Sequence, residues 1–544
     1  MMARFPFCVA CHLWLLTCVA FLGCSKGTDS ADLVIANGAD PRSLDPAAVT
    51  ALADGRILSA LFEGLLDLHP KSLAVVPAMA EALPEVSGDG RTYTFRLRQG
   101  LVWSDGVPID AEGLRWSFLR FLDPRTGARF TDPLLAVVGA RAFNASGGSL
   151  RAEAVGIHAD GPRILRFELE APLPTFPSLL TLFPLYPVPR HVVEKHGDAW
   201  TRKEHFVSNG PFALSEWRLR DRVRVVRNPR YRDTEAVHLR SIDYLCVESP
   251  ATMLNLLVAG RADIIVDVPT SAVTAIATEF APESGAAWLP ELRLGTFYLA
   301  VNLNRPPLSN RKVRRALSAA IDRRAITQVL LRAGEQPATS FVPRGVACGT
   351  SMYEPPTEIL AAPLEPSALL KEGLAELQMD LNEASIELIY STTEATDQPI
   401  AELLQESWTS LGLRVRLVNL DSASARDAIR RGQFQIARAS WIGDYNDPST
   451  FLDLLVTGGA RNPSGWSNPR YDELVTQLAR TTRNDVERAG HYREAESILM
   501  EEAVIIPVFH YVSRSLVRRG VLGFYPNVLD WHPPKGIRIL EDQR

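Results

Sequence analysis

The sequence predicts an α/β protein. Short β-like runs alternate with amphipathic helical stretches from Leu33 onward, and neither an internal repeat nor a long linker breaks the alternation. Hydrophobic residues at 46% and charged residues at 22% are those of an ordinary globular chain, which excludes the disordered, collagenous and coiled-coil classes. With 544 residues the chain can bury a sizeable core in several domains. In order along the chain, Leu33-Val34-Ile35-Ala36 is a buried strand ended by Asn37-Gly38. Tyr93-Thr94-Phe95-Arg96-Leu97-Arg98 alternates as a half-exposed strand does, and Gln99-Gly100 closes it. After the turn at Ser104-Asp105-Gly106, Asp110 is the expected N-cap of a helix carrying Leu114, Phe118 and Phe121. Val313, Ala316, Leu317, Ala320 and Ile321 put an apolar stripe on a helix that follows Pro306-Pro307. Its basic residues Arg311, Lys312, Arg314, Arg315, Arg323 and Arg324 are expected on a solvated face opposite that stripe. Tyr471, Leu474, Val475 and Leu478 make a second stripe, begun by Asn468-Pro469, and Pro507 is expected to end a helix and open the strand Val508 to Val512.

Residues 1–23 differ from the rest: they hold one basic residue, Arg4, no acid, and an apolar run from Leu13 to Leu22 broken only by Thr17. That run is too short to span a bilayer and has the proportions of a signal-peptide core. It ends at Phe21-Leu22-Gly23-Cys24 before a polar stretch, which resembles a lipobox whose cysteine becomes a lipidated N-terminus; an ordinary cleaved signal is the alternative. Either way the mature chain is expected outside the cytoplasm. Four of the six cysteines, Cys8, Cys11, Cys18 and Cys24, belong to this leader. For Cys246 and Cys348 an oxidising compartment permits a disulfide, while the strand-like run Ile242 to Val247 favours Cys246 as a buried apolar side chain.

The formal net charge of -5 excludes the strongly basic footprint of a nucleic-acid binder. Nucleophile elbows, phosphate loops and dinucleotide fingerprints are absent from the sequence. His191-Val192-Val193-Glu194-Lys195-His196 is one residue too long for an inverted zinc motif, and its histidines, five apart on a helix, point away from each other. No catalytic residue, metal or cofactor is therefore expected. The run Phe434 to Pro448 is more informative. It begins as a strand, ends in an Asp/Asn/Pro turn, and gathers Arg438, Trp441 and Asp444 at a strand end. Exposed strand backbone, an aromatic wall and charges of both signs are what a short zwitterionic peptide would need.

Nearly the whole mature chain resembles the family 5 extracellular solute-binding proteins, the oligopeptide-binding receptors of ABC importers. The resemblance rests on ordered blocks: Asn37 to Pro46, Leu61-Phe62-Glu63-Gly64-Leu65, Tyr93-Thr94-Phe95 with Trp103-Ser104-Asp105-Gly106, and Ser208 to Phe212. Asn302 to Pro307, Val313 to Leu317 with Ile321-Asp322-Arg323, and Trp441 to Pro448 complete it. It implies a type II periplasmic binding protein with two lobes, a hinge and an extra inserted domain. The expected division is a signal peptide 1–23, an anchor linker 24–32, lobe I from 33–56, 184–294 and 512–544, the inserted domain 57–183, and lobe II 295–511.

The resemblance also implies a site. Asp444 matches the aspartate that receives the ligand ammonium, because a buried cation must be paired. Ser440, Trp441 and Ile442 match the strand that pairs with the peptide, Arg438 a position near its carboxylate, and Phe130 an aromatic clamp. Asp40 matches an acidic backbone contact and Asp267 a polar contact, although Val266 beside it replaces a polar residue. The implied protein is a monomeric periplasmic lipoprotein anchored through Cys24, without chemistry of its own, that delivers short peptides to the permease and ATPase subunits of an importer. Receptors of the same fold for nickel, haem, a sugar or a cell-wall peptide are alternatives within that class, and an exported hydrolase is an alternative outside it.

Overall fold

The computed structural model describes residues 30–147, 151–279, 286–391 and 396–540; the leader and Cys24 lie outside them. Among the described residues no helix is long and apolar enough to cross a membrane. The architecture is mixed α/β around one large sheet, as the alternating pattern predicts. Its strands are β1 (Leu33–Gly38), β2 (Phe212–Arg218), β3 (Arg222–Arg227), β4 (Ser241–Cys246) and β5 (Ile264–Ile265). They continue with β6 (Ala286–Val301), β7 (Ser385–Tyr390), β8 (Arg414–Asn419), β9 (Ile436–Ile442) and β10 (Ile505–Arg518). The order across the sheet is β8-β7-β9-β6-β10-β5-β1-β4-β3-β2, and Gln336–Pro337 adds to β10.

Two of these strands are much longer than the rest and run antiparallel through both halves of the sheet. Their register jumps from Leu292 opposite Val512 to Thr296 opposite His510, so Arg293, Leu294 and Gly295 face only Tyr511. A bulge of this kind bends a strand and re-aims its side chains. On one side of the bulge β10 joins β5 and so the half containing β1 to β4; on the other, β6 pairs with β9. The extra residues find other partners: Leu294 N donates to Val528 O at 2.6 Å, and Leu294 O accepts the Gly443 N–H at 2.7 Å. Next to the bulge the Thr296 hydroxyl donates to Phe341 O at 2.7 Å, so it must accept from His510 Nδ1 at 2.9 Å. Burial pushes His510 down to about 3, so the ring is neutral near pH 7.

A separate four-stranded antiparallel sheet is formed by Glu85–Val86, Thr92–Arg96, Ile164–Glu168 and Ile157–Ala159. Tyr93, Phe95, Phe118, Phe167 and Phe176 give it an aromatic core of its own, and Phe118 comes from the helix Ala111–Leu122. Asp110 caps that helix as expected, accepting the Gly113 N–H at 2.8 Å.

Three expectations from the sequence are corrected. Arg314 and Arg323 are not on a solvated face. Arg314, 3% exposed, donates to the carbonyls of Leu308, Ser309, Glu502 and Ala503. Arg323 donates to Pro507 O at 2.9 Å and Ser318 O at 2.8 Å. Both join the helix Arg311–Ala319 and the turn after it to the chain around β10. Pro507 does not end a helix: the helix Asp485–Glu501 stops earlier, and Pro507 lies inside β10 beside a second register shift, where a missing N–H is tolerated. Cys246 is half-buried rather than buried, and both Cys246 and Cys348 are free thiols. Arg314→Met should lower unfolding stability by about 2–4 kcal/mol, because it strands several buried carbonyls at once. Urea denaturation of the two proteins checks this, and an unchanged midpoint would contradict it.

Candidate functional site

Two large cavities meet where the halves of the sheet join, one of about 1090 Å³ and one of about 990 Å³. Leu52, Arg293 and Ile442 line both and form the partition between them. The period of two along β9 distributes its side chains: Trp441 faces the larger cavity, Arg438 and Ser440 the smaller, and Ile442 borders each. The β7 neighbour reaches only Ile436 and Ala437, so from Arg438 to Ile442 that edge of β9 has no paired strand among the described residues. An extended ligand can hydrogen-bond to such an edge.

Phe130, Trp441, Ile442 and Asp444 come together around the larger cavity, with Leu73, Val75, Phe183 and Trp531 on its apolar wall. Arg461 stacks over the Trp441 ring at 5.0 Å and pairs with Asp132 at 2.8 Å, two residues from Phe130. The Trp441 Nε1 donor is buried and has no acceptor. Asp444 is seated by its own backbone, whose N–H donates to Thr450 Oγ1 at 3.0 Å, and its carboxylate accepts no hydrogen bond. Burial pushes its pKa up to about 6 against the pull of the Arg461 cation. The neighbouring Asp447 contrasts with it, being held by Arg488 at 2.9 Å and by the Ser449 hydroxyl at 2.7 Å.

Asp267, Arg438 and Ser440 lie instead on the smaller cavity. Arg438 is already paired, its Nε 3.2 Å from the buried carboxylate of Asp397 and its guanidinium 5.0 Å from the Phe297 ring. Asp267 is bound by Arg514 at 3.0 Å. Asp40 is not brought to either cavity. Its carboxylate accepts Trp217 Nε1–H at 3.2 Å and Arg220 N–H at 2.7 Å, which engages it within the β2–β3 hairpin region. The sequence reading missed Arg293, which carries no motif; the signal available was a lone cation in the alternating run Leu292-Arg293-Leu294. Among the described residues no group of three or more His, Cys, Asp or Glu could hold a metal ion.

The middle of the chain, residues 74–463, matches the model of the bacterial extracellular solute-binding proteins, family 5. Over 493 residues the chain is 33% identical to an Escherichia coli protein named as a probable deoxycholate-binding periplasmic protein, covering 90% of this chain and 89% of the relative. It is 33% identical over 491 residues to the periplasmic murein peptide-binding protein of Escherichia coli, covering 89% and 88%. Among solved structures, the Haemophilus influenzae oligopeptide-binding protein in complex with the peptide RPPGFSPFR superposes with a TM-score of 0.76 at 27% identity, covering 94% of this chain and all of that one.

An aspartate that titrates near 6 when folded and near 3.8 when unfolded holds its proton longer in the folded state, so stability falls as pH rises through that window. Without ligand, Asp444→Asn should therefore raise unfolding stability at pH 7 by about 1–2 kcal/mol, and the gain should vanish below about pH 4. Urea titrations of both proteins across pH 3.5 to 7.5 check this; a destabilised variant at pH 7 would contradict it.

Proposed function

This chain belongs to the bacterial extracellular solute-binding proteins of family 5, and from that membership we propose that it captures short peptides between its lobes for an importer. The single observation that carries the peptide reading is Asp444: a half-buried carboxylate without a hydrogen-bond donor, beside an open strand edge, offers an ammonium its counter-ion and a main chain its partners. Trp441, Ser440 and Ile442 supply that edge and its aromatic wall, and Phe130 closes the far side. Arg438 and Asp267, already paired, act as polar wall rather than as primary anchors. Asp40, engaged by Trp217 and Arg220, is left outside the proposed site.

The division into lobe I (33–56, 184–294, 512–544), an inserted domain (57–183) and lobe II (295–511) belongs to this proposal. The register break at Arg293 to Gly295 and the separate aromatic core of the four-stranded sheet support it. Closure of two lobes over a ligand is a hinge motion, and ligand contacts from both lobes favour the closed state that a permease and its ATPase would recognise. The family is one of binding proteins, and the proposal gives this protein no chemistry. Its proposed state is a monomer in the periplasm held to the membrane by a lipid on Cys24.

A second reading, an amphipathic anion such as a bile acid, draws on the apolar wall of the larger cavity and on the deoxycholate-binding relative. Mass spectrometry of molecules released on denaturing the soluble chain, purified without Cys24, separates the two. A ladder of short peptides from the wild-type protein, lost in Asp444→Ala, is the expected result. A single non-peptide ligand, or no release and no thermal shift with added peptides, would contradict the peptide reading. Because the free carboxylate must lose its proton before it can pair with an ammonium, peptide affinity should weaken as pH falls through about 6. Calorimetry should find binding about tenfold weaker at pH 5 than at pH 7, and nearly flat in Asp444→Asn.

A further inference from the structure

The charges lining the two cavities are almost all matched. Asp397 takes Arg438, Asp267 takes Arg514, and Asp447 takes Arg488. Asp530 receives Arg56 on Oδ2 at 2.8 Å and His532 on Oδ1 at 3.1 Å. Glu335 accepts the Ala333 N–H, and Arg461 pairs with Asp132. Arg129 and Arg426 are exposed at the rims, where water solvates them.

Two groups are left over, and they have opposite sign. Asp444 accepts no hydrogen bond, and Arg293 donates none: its Nε is buried without an acceptor, and its Nη atoms reach no described partner. The nearest acids do not relieve it, because both oxygens of Asp530 and both of Asp267 are engaged by other donors. Burial pulls the Arg293 pKa down, and the more distant fields of Asp530 and Asp267 oppose this only partly. Its side chain is half-buried, with the Nη atoms facing the cavity and only Nε buried, so an anion entering the cavity meets the guanidinium directly.

Position links the two. Leu294 O accepts the Gly443 N–H, so Arg293 and Asp444 are the residues on either side of one inter-strand hydrogen bond, yet they form no ion pair with each other. Both line the larger cavity, and Arg293 also opens on the smaller one.

We propose that Arg293 is the anchor for the ligand carboxylate, so that the cleft takes a short zwitterion whose ends meet Asp444 and Arg293 close together, beside the Ile442 end of the open edge rather than along its length. This rests on the peptide reading above and assigns to Arg293 the role that the sequence pattern suggested for Arg438. Arg438 needs no ligand, since Asp397 compensates it; Arg293 gains its first contact counter-ion when the ligand enters. The bulge that re-aims Arg293 thus places the anion site on the hinge itself.

Alanyl-phenylalanine and its tri- and tetrapeptide extensions with alanine, each as free acid and as C-terminal amide, test this by calorimetry. The wild-type protein should bind the acid of its preferred length at least about tenfold more tightly than the amide, the worth of a hydrogen bond to a charged group. Arg293→Gln should weaken the acid by that factor and leave the amide unchanged, which also shows the variant is folded, whereas Arg438→Gln should keep the discrimination. Equal binding of acid and amide by the wild-type protein, or discrimination that survives Arg293→Gln or disappears in Arg438→Gln, overturns the inference. If peptides bind and Asp444→Asn weakens them while acid and amide stay equal, this inference alone fails. If none of these peptides binds at all, the peptide reading fails with it.

Discussion

Everything about the cleft depends on one antiparallel pair of strands. Ala286–Val301 and Ile505–Arg518 are the only long strands that serve both halves of the large sheet among the described residues, and three residues bulge out where the halves meet. Paired backbone lies on each side of the bulge, while the bulge itself gives up regular pairing where the halves join. The same bulge turns Arg293 into the cavities and lends Leu294 O to Gly443, which fixes the turn carrying Asp444. The register break and the residues lining both cavities are therefore one local structure.

Two charged side chains on the walls of the larger cavity have no contact counter-ion. Asp444 is kept beside an apolar wall with only the distant cation Arg461 in its favour, and Arg293 is kept without an anion. Some buried charges elsewhere are fully engaged: Glu496 accepts the N–H groups of Phe341 and Val342 and the Tyr353 hydroxyl, and Arg314 spends its donors on four carbonyls.

The sequence revealed the strand at Leu33, the helix capped by Asp110 and the strand-to-turn run ending at Asp444, because each has a local signature of period, cap or turn. It concealed what depends on packing. A basic helix face looks solvated until the carbonyls that Arg314 and Arg323 bind are in place, and Pro507 looks like a boundary until a register shift makes its missing N–H harmless. Arg438 and Asp267 carried the right chemistry, but their partners Asp397 and Arg514 lie 41 and 247 residues away in the chain, beyond any local pattern. Asp40 was drawn into the site by its block of sequence, whereas its carboxylate holds the turn at Arg220. Arg293 belongs to no motif, and only the bulge makes it significant.

A crystal structure of the soluble chain grown with a short peptide shows where the ligand's ammonium sits. Density for a short peptide beside the Ile442 end of the open edge is expected, with its ammonium within hydrogen-bonding distance of Asp444. A peptide bound elsewhere, or lying in the cleft with its ammonium away from Asp444, would contradict it.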